Sequence, residues 1–357
     1  MNATRATVDL DDADGLLAAD RDGLLRGASM AGAQVRATAA ALAEGELDAL
    51  RTDHPPRTLI WLADRGNAHT AGSLLAAAVG ASVGTPIVVA AEAPPWIGAL
   101  DVLVVAGDDP GDPVLVSAAA TALHRGARVI VVAPYEGPLR DVAAGRAVAL
   151  APRVWVPDEF SLTRYLAAGL AILDVVQPGM RVNLDALADE LDAEAFRNSA
   201  VHEPFTNPAK TLAERMSGRE VVLAGDNPAT LALARHGASS MLRVAHRVVA
   251  AVGLADALTA LRSGLGAPPG ADRLFHDEQI DGPLPDQVRT FVLTTDAERP
   301  VVLARVSGLD DVDVLNAEDV PAGESAPTRD DGRPERQLAM LAVRLEMTAV
   351  YLKLVRG

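Results

Sequence analysis

TLIWLADRGNAHTAGSLLAAAVGA (58–81) sets the reading of the chain. It opens with a short, unbroken apolar run, TLIWLA (58–63), then turns through polar residues into a helix-like stretch rich in alanine and leucine. A strand with one wet face alternates apolar and polar residues; an unbroken run marks a strand covered on both faces, as in a parallel sheet. The same pattern recurs outward. PIVVAA (86–91) is a second run, DVLVVAG (101–107) a third, followed by a helical DPVLVSAAATALHRGA, RVIVVAP (128–134) a fourth and RVWVP (153–157) a fifth. The alternation restarts at REVVLAG (219–225), which leads into NPATLALARHGASSMLRVAHRVVAAVG. QVRTFVLTT (287–295), RPVVLARVSG (299–308) and VDVLNAE (312–318) read as further strands. Apolar strands separated by helices predict an α/β fold of two doubly wound parallel sheets, each a three-layer α/β/α lobe.

The remaining segments frame these lobes. Residues 1–57 read as an N-terminal helical segment ended by His54-Pro55-Pro56. The first lobe is expected over 58–157, a helical connection over 158–206 and the second lobe over 207–316. An acidic loop rich in Pro and Gly (317–334) precedes a closing amphipathic helix (335–357). VLVVAGDDPGDPVLVSAA (102–119) and EVVLAGDNPATLALAR (220–235) share a strand, Gly-Asp, Pro and helix order. That order marks either a duplicated unit or the ordinary punctuation of a strand-to-helix turn.

Composition narrows the function classes. The 357 residues carry a net charge of −16, which argues against nucleic acid and against an anionic membrane surface. An anionic small molecule stays compatible, because backbone N–H groups and one or two side chains hold it locally. With no cysteine, disulfides, thiolate metal sites and cysteine nucleophiles are excluded. No apolar run is long enough to span a bilayer, and the acidic start is unlike a signal peptide, so a cytoplasmic protein is expected. HExxH, GxGxxG, Walker and GxSxG motifs are all lacking; neither metal nor cofactor is expected.

In open parallel sheets ligands bind at the carboxyl ends of strands, near the switch in strand order. Four loops qualify. In ADRGNAHTAGS (63–73), Gly66, Asn67, His69, Thr70, Gly72 and Ser73 either offer N–H and hydroxyl donors to a phosphate at a helix start or merely cap that helix. In GDDPGDP (107–113), Asp108, Asp109 and Asp112 would repel a phosphate if unneutralised; they bind a hard cation or an amine, or form an exposed turn with an Asp cap. In GDNPAT (225–230), Asn227 and Thr230 cap a helix or donate to a ligand. In LFHDEQIDG (274–282), His276 suits proton transfer beside Asp277 and Glu278, or is a structural histidine.

Four stretches carry a family resemblance, the first of them LDDADGLL (10–17), which looks like the family's opening helix. NPAKTLAERMSGREVVLAG (207–225), LFHDEQIDG and EMTAVYLKLVRG (346–357) resemble, respectively, the start of the second lobe, the His-Asn-Glu-Ile-x-Gly motif and the closing helix of bifunctional phosphoglucose/phosphomannose isomerases. Those proteins are built from two sugar isomerase (SIS) domains, and the chain looks closest to their actinobacterial, TobH-like members. The resemblance implies a sugar phosphate as small-molecule ligand and aldose–ketose isomerisation through a cis-enediol. It implies His276 as the ring-opening histidine, Glu278 beside it, and Thr348 at the Ser/Thr position of the last helix; Glu278 is the candidate substitute for the family's base. The chain departs from the family at the Gly-Gly-Ser-Gly turn, replaced by DRGNAHTAG, and at the Ser-Gly-Asn-Thr loop, replaced by GDDPGDP. The segment that supplies the family's glutamate base matches SSMLRVA (239–245), which has no acid. A non-catalytic sugar-phosphate sensor is the alternative the departures raise. Double-SIS chains pair as homodimers; the apolar stripe of the closing helix serves such an interface or packs within the chain.

Overall fold

The structure is a computed structural model and describes residues 8–177, 179–265, 288–318 and 333–355. They form two compact units: one from Gly23–Phe196 and Pro334–Val343, the other from the described parts of Met1–Asp22, Arg197–Arg333 and Arg344–Gly357.

The first unit holds a five-stranded sheet of order β2-β1-β3-β4-β5. The strands are β1 (Thr58–Leu62), β2 (Ile87–Ala90), β3 (Asp101–Ala106), β4 (Arg128–Val132) and β5 (Val148–Ala149), and every pairing is parallel. The central strands β1 and β3 are buried at every residue, as their unbroken apolar runs require. Alternate side chains leave opposite faces. Ile60 and Leu62 join Leu103, Val105, Val129 and Val131 under the helices Pro113–His124 and Gly137–Ala143. Trp61 points to the other face, where the helices Gly66–Val79 and Leu162–Val176 lie; Gly72 and Gly169 are the points at which those helices meet its ring. Its indole Nε1 donates to Ala68 O at 2.8 Å.

The second unit holds a four-stranded parallel sheet of order β7-β6-β8-β9, from β6 (Glu220–Gly225), β7 (Ala250–Gly253), β8 (Val288–Leu293) and β9 (Val312–Leu315). Ala224 and Val292 face the helices Leu254–Arg262 and Arg299–Val306. Leu223 faces Gly237 of the helix Pro228–Arg243, against which Leu345 of the closing helix also packs. Strand order in this sheet repeats that of β2-β1-β3-β4. The predicted fold class, doubly wound parallel α/β, is the one observed.

Several elements differ from expectation. RPVVLARVSG is not a strand but the helix Arg299–Val306, with Pro300 in its first turn, where proline's missing N–H costs nothing. Its two buried residues, Val302 and Val306, stand four apart, the spacing of one helix face. RVWVP forms no strand; the edge is the two-residue β5, and Trp155 is 82% exposed. Strand β7 ends the stretch NPATLALARHGASSMLRVAHRVVAAVG, which the sequence pattern leaves undivided. Residues 9–50 divide into Ala13–Ala19, Leu24–Ser29 and Ala31–Ala43 with a short 3-10 turn at Asp48–Leu50; Gly23, at φ 67°, makes one break. Most of the predicted acidic loop, 319–332, lies outside the described residues.

Candidate functional site

The switch in strand order in the first unit falls between β1 and β3, and the loops leaving their carboxyl ends meet there. The helix Gly66–Val79 begins after Arg65, whose backbone is extended, and no side chain caps its first turn. Gly66 takes φ 65°, a left-handed value that glycine adopts without strain. Asn67 is buried and turned away from that start: its Nδ2 donates to Asp158 O at 2.7 Å, Glu159 O at 3.1 Å and Ser161 Oγ at 3.2 Å. His69 Nδ1 lies 3.0 Å from Ala63 O, an acceptor, which makes Nδ1 the donating nitrogen. Thr70 Oγ1 donates back to Gly66 O at 3.2 Å. Ser73 is half-buried two turns on, about 10 Å along the axis, so it does not share the helix start with Asn67.

The three aspartates of the β3 loop have separate employments. Asp112 caps the helix Pro113–His124, accepting from Val114 N at 2.9 Å, and its other oxygen takes Arg65 at 2.5 Å. Arg65 also donates to Asp64 at 2.8 Å. Asp108 Oδ1 accepts from Arg164 at 2.7 Å and from the Tyr165 hydroxyl at 2.5 Å, while the Arg164 guanidinium lies over the Tyr165 ring, 4.2 Å from its centroid. Burial, with Asp108 adding to it against the opposing pull of Arg164, holds the Tyr165 proton well above the usual phenol range, so Tyr165 is a donor at every working pH. Asp109 is exposed and accepts from Gly111 N at 2.8 Å. Two of the three carboxylates therefore face an arginine.

In the second unit the loops after β6 and β8 also satisfy one another. Asn227 accepts from the N–H groups of Ala229 and Thr230, at 2.8 and 2.9 Å, and Thr230 Oγ1 accepts from Asn227 N at 3.1 Å, a complete capping box. Asn227 Nδ2 donates to Glu298 at 2.5 Å, Thr295 Oγ1 to the same oxygen at 3.3 Å, and Arg305 pairs with Asp226. Thr348 is fully buried in the closing helix and donates to Arg344 O at 2.7 Å. Nearby on that helix, Glu346 meets His236 Nε2 at 2.9 Å, both about 1% exposed. Burial pushes the Glu346 carboxyl up, and the His236 hydrogen bond pulls against it.

Asn67, His69 and Thr70 are thus gathered at one helix start and Asn227 with Thr230 at another, while Thr348 sits in a helix core. His276 and Glu278 lie outside the described residues. Sequence reasoning misses Arg65, Arg164, Tyr165, Glu298 and the His236–Glu346 pair. For the arginines a signal exists: three closely spaced aspartates call for cations nearby. Among the described residues no group of His, Asp and Glu is arranged to hold a metal ion, and no helix is long and apolar enough to cross a membrane.

The sheets define the class by fold: an α/β chain with two doubly wound parallel sheets. Among solved structures it is similar to tagatose-6-phosphate ketose/aldose isomerase from Escherichia coli, with TM-score 0.59, 15% identity, and 94% of this chain and 90% of that one covered. It is similar as well to a glucose-6-phosphate isomerase like protein from Thermus thermophilus, with TM-score 0.52, 21% identity, and 98% and 94% covered. A third likeness is to the C-terminal domain of glucosamine-fructose-6-phosphate aminotransferase from Francisella tularensis, with TM-score 0.61, 12% identity, and 95% and 98% covered. At these identities the shared property is the fold. No family model and no curated protein matches the sequence.

Proposed function

We propose that this chain binds a sugar phosphate of the glucose, mannose or fructose 6-phosphate class, with the phosphate received at the start of the helix Gly66–Val79 beside Arg65. The observation that carries the reading is that Asp108 and Asp112 are not free carboxylates: Arg164 with Tyr165 and Arg65 with the Val114 N–H take them up. The Arg65 side chain is 66% exposed and Asp112 only 6%, and the guanidinium keeps N–H groups beyond those that Asp64 and Asp112 take. A phosphate dianion accepts from the guanidinium's remaining donors and from the uncapped N–H groups of the helix start, while Asp112 keeps its partner. The described residues support binding more directly than C–H proton transfer, because residues 239–245 carry no acid. Aldose–ketose isomerisation, with His276 opening the ring and Glu278 as base, is the second reading, favoured by the likeness to structures named as ketose/aldose isomerases. The proposal extends to a cytoplasmic homodimer of the TobH-like branch.

Titration calorimetry with inorganic phosphate and fructose 6-phosphate tests it. Asp112→Asn keeps a good cap and removes the competing charge, so phosphate binding tightens; Arg65→Ala weakens it at least tenfold. Absence of binding to the unaltered chain overturns the reading. With binding present, exchange of the aldose C2–H in deuterium oxide assigns isomerase, and its absence assigns sensor.

A further inference from the structure

Asp108 follows Gly107 at the carboxyl end of β3, beside the switch in strand order between β1 and β3. Its carboxylate is held from one side. Arg164 and the Tyr165 hydroxyl both donate to Oδ1, at 2.7 and 2.5 Å. The two donors stand on the helix Leu162–Val176 and are themselves covered, Arg164 at 12% side-chain exposure and Tyr165 fully buried. Oδ2 takes part in neither bond. The Asp108 side chain is 33% exposed, and with Oδ1 shielded by two donors that exposure falls on Oδ2, which is not sealed from solvent. The result is an acceptor fixed in direction by the fold and open to a ligand. Asp112 differs, since its two oxygens go to Val114 N and Arg65.

Position relates this oxygen to the proposed phosphate site. Asp112 N donates to Asp109 O at 3.2 Å, which folds Asp109–Asp112 into a turn. The ends of such a turn lie under roughly 7 Å apart and neighbouring Cα atoms about 3.8 Å, so Asp108 stands at most about 11 Å from Asp112, the residue that Arg65 grips. One hexose phosphate spans that gap once the side chains reach into it.

The chemistry that fits is narrow. A carboxylate oxygen only accepts, so its ligand must donate. A second anion is turned away. An ammonium donates, but Arg164 already offsets the charge of Asp108, and its guanidinium repels a further cation. A hydroxyl donates without adding charge. We propose that Asp108 Oδ2 is the specificity-determining acceptor of the site, taking a hydrogen bond from a hydroxyl of the sugar while the phosphate sits beside Arg65. The assignment rests on the sugar-phosphate reading and adds to it the group that tells a sugar phosphate from a bare anion.

Titration calorimetry of the full chain with inorganic phosphate, D-glucose 6-phosphate and D-glucosamine 6-phosphate tests it. Asp108→Asn keeps an oxygen for Arg164 and Tyr165 and turns an amide NH2 outward in place of Oδ2. Glucose 6-phosphate binding is expected to weaken about threefold to tenfold, the difference between a charge-assisted and a neutral hydrogen bond, while inorganic phosphate is unchanged or tightens. The signs separate the roles: were Asp108 only a nearby charge, its removal would tighten both ligands. Tyr165→Phe, which fills the same space and frees the carboxylate to turn, is expected to weaken glucose 6-phosphate at least about twofold and to leave inorganic phosphate unchanged. It decides the matter if Asp108→Asn does not fold. Unchanged or tighter binding of glucose 6-phosphate by the folded variants overturns the assignment, as does tighter binding of glucosamine 6-phosphate than of glucose 6-phosphate to the unaltered chain. Failure of the unaltered chain to bind inorganic phosphate or either sugar phosphate overturns the sugar-phosphate reading itself, and this assignment with it.

Discussion

Gly72 shows how a single position is misread when only its neighbours in sequence are weighed. In a turn-like stretch it suggests a backbone donor for phosphate, yet a Cβ there would stand 2.2 Å from Trp61 Cδ1. Two effects oppose each other on Gly72→Ala. Alanine in a helix interior gains about 0.5–1 kcal/mol over glycine, whereas overpacking a rigid ring costs about 1–3 kcal/mol. With contact this close the second wins, and Gly72→Ala is expected to lower the midpoint of thermal unfolding; an unchanged or raised midpoint contradicts the packing account. The β3 loop teaches a related lesson. Its aspartates are legible as charges, but their partners are not. Arg65 lies 47 residues from Asp112 and Arg164 lies 56 from Asp108, separations that no local pattern encodes. Asn227 and Thr230, by contrast, are legible as a cap, because a capping box is written in four consecutive residues.

Elements read well where a strand is fully covered and poorly at the edges. TLIWL and DVLVVA are buried at every residue and announce themselves by composition. The edge strands β5 and β7 are short and at most half-buried, so hydrophobicity marks them weakly. RPVVLARV misleads because two adjacent valines resemble a strand, although only the residues four apart are buried. Pairing between elements is beyond sequence altogether. The helices Pro228–Arg243 and Pro334–Leu354 bring His236 and Glu346 together 110 residues apart. The folded state holds the Glu346 proton more tightly than the usual 4.5 of a free side chain. Its contribution to stability is therefore complete below 4.5 and is lost as pH rises through the raised folded value. Glu346→Gln, which keeps a hydrogen-bonding side chain, is expected to flatten this fall; urea midpoints measured at intervals of about one unit from roughly pH 4.5 to 7.5 decide it, and parallel curves for the two proteins refute it.

At the scale of the molecule the surplus of 16 negative charges acts as self-repulsion that favours expansion. Screening weakens it beyond roughly 10 Å at about 0.1 M salt. Raising sodium chloride from about 0.02 to about 0.2 M is thus expected to raise the unfolding midpoint, and a fall would show that the attractive ion pairs outweigh the excess. The alternating strand and helix pattern makes the doubly wound class legible, since it depends on composition averaged over many residues; the assignment of strands to neighbours within each sheet does not, and stays hidden. That assignment bears on how the chain is made. In each sheet the strand synthesised first ends up inside, β1 between β2 and β3, β6 between β7 and β8. As β1 leaves the ribosome its second neighbour, Asp101–Ala106, is still to be made, and the sheet's centre stays open until it arrives. During that interval an oily ribbon waits with one flank unshielded, so clumping is expected of nascent chains crowded on one messenger rather than of the finished protein.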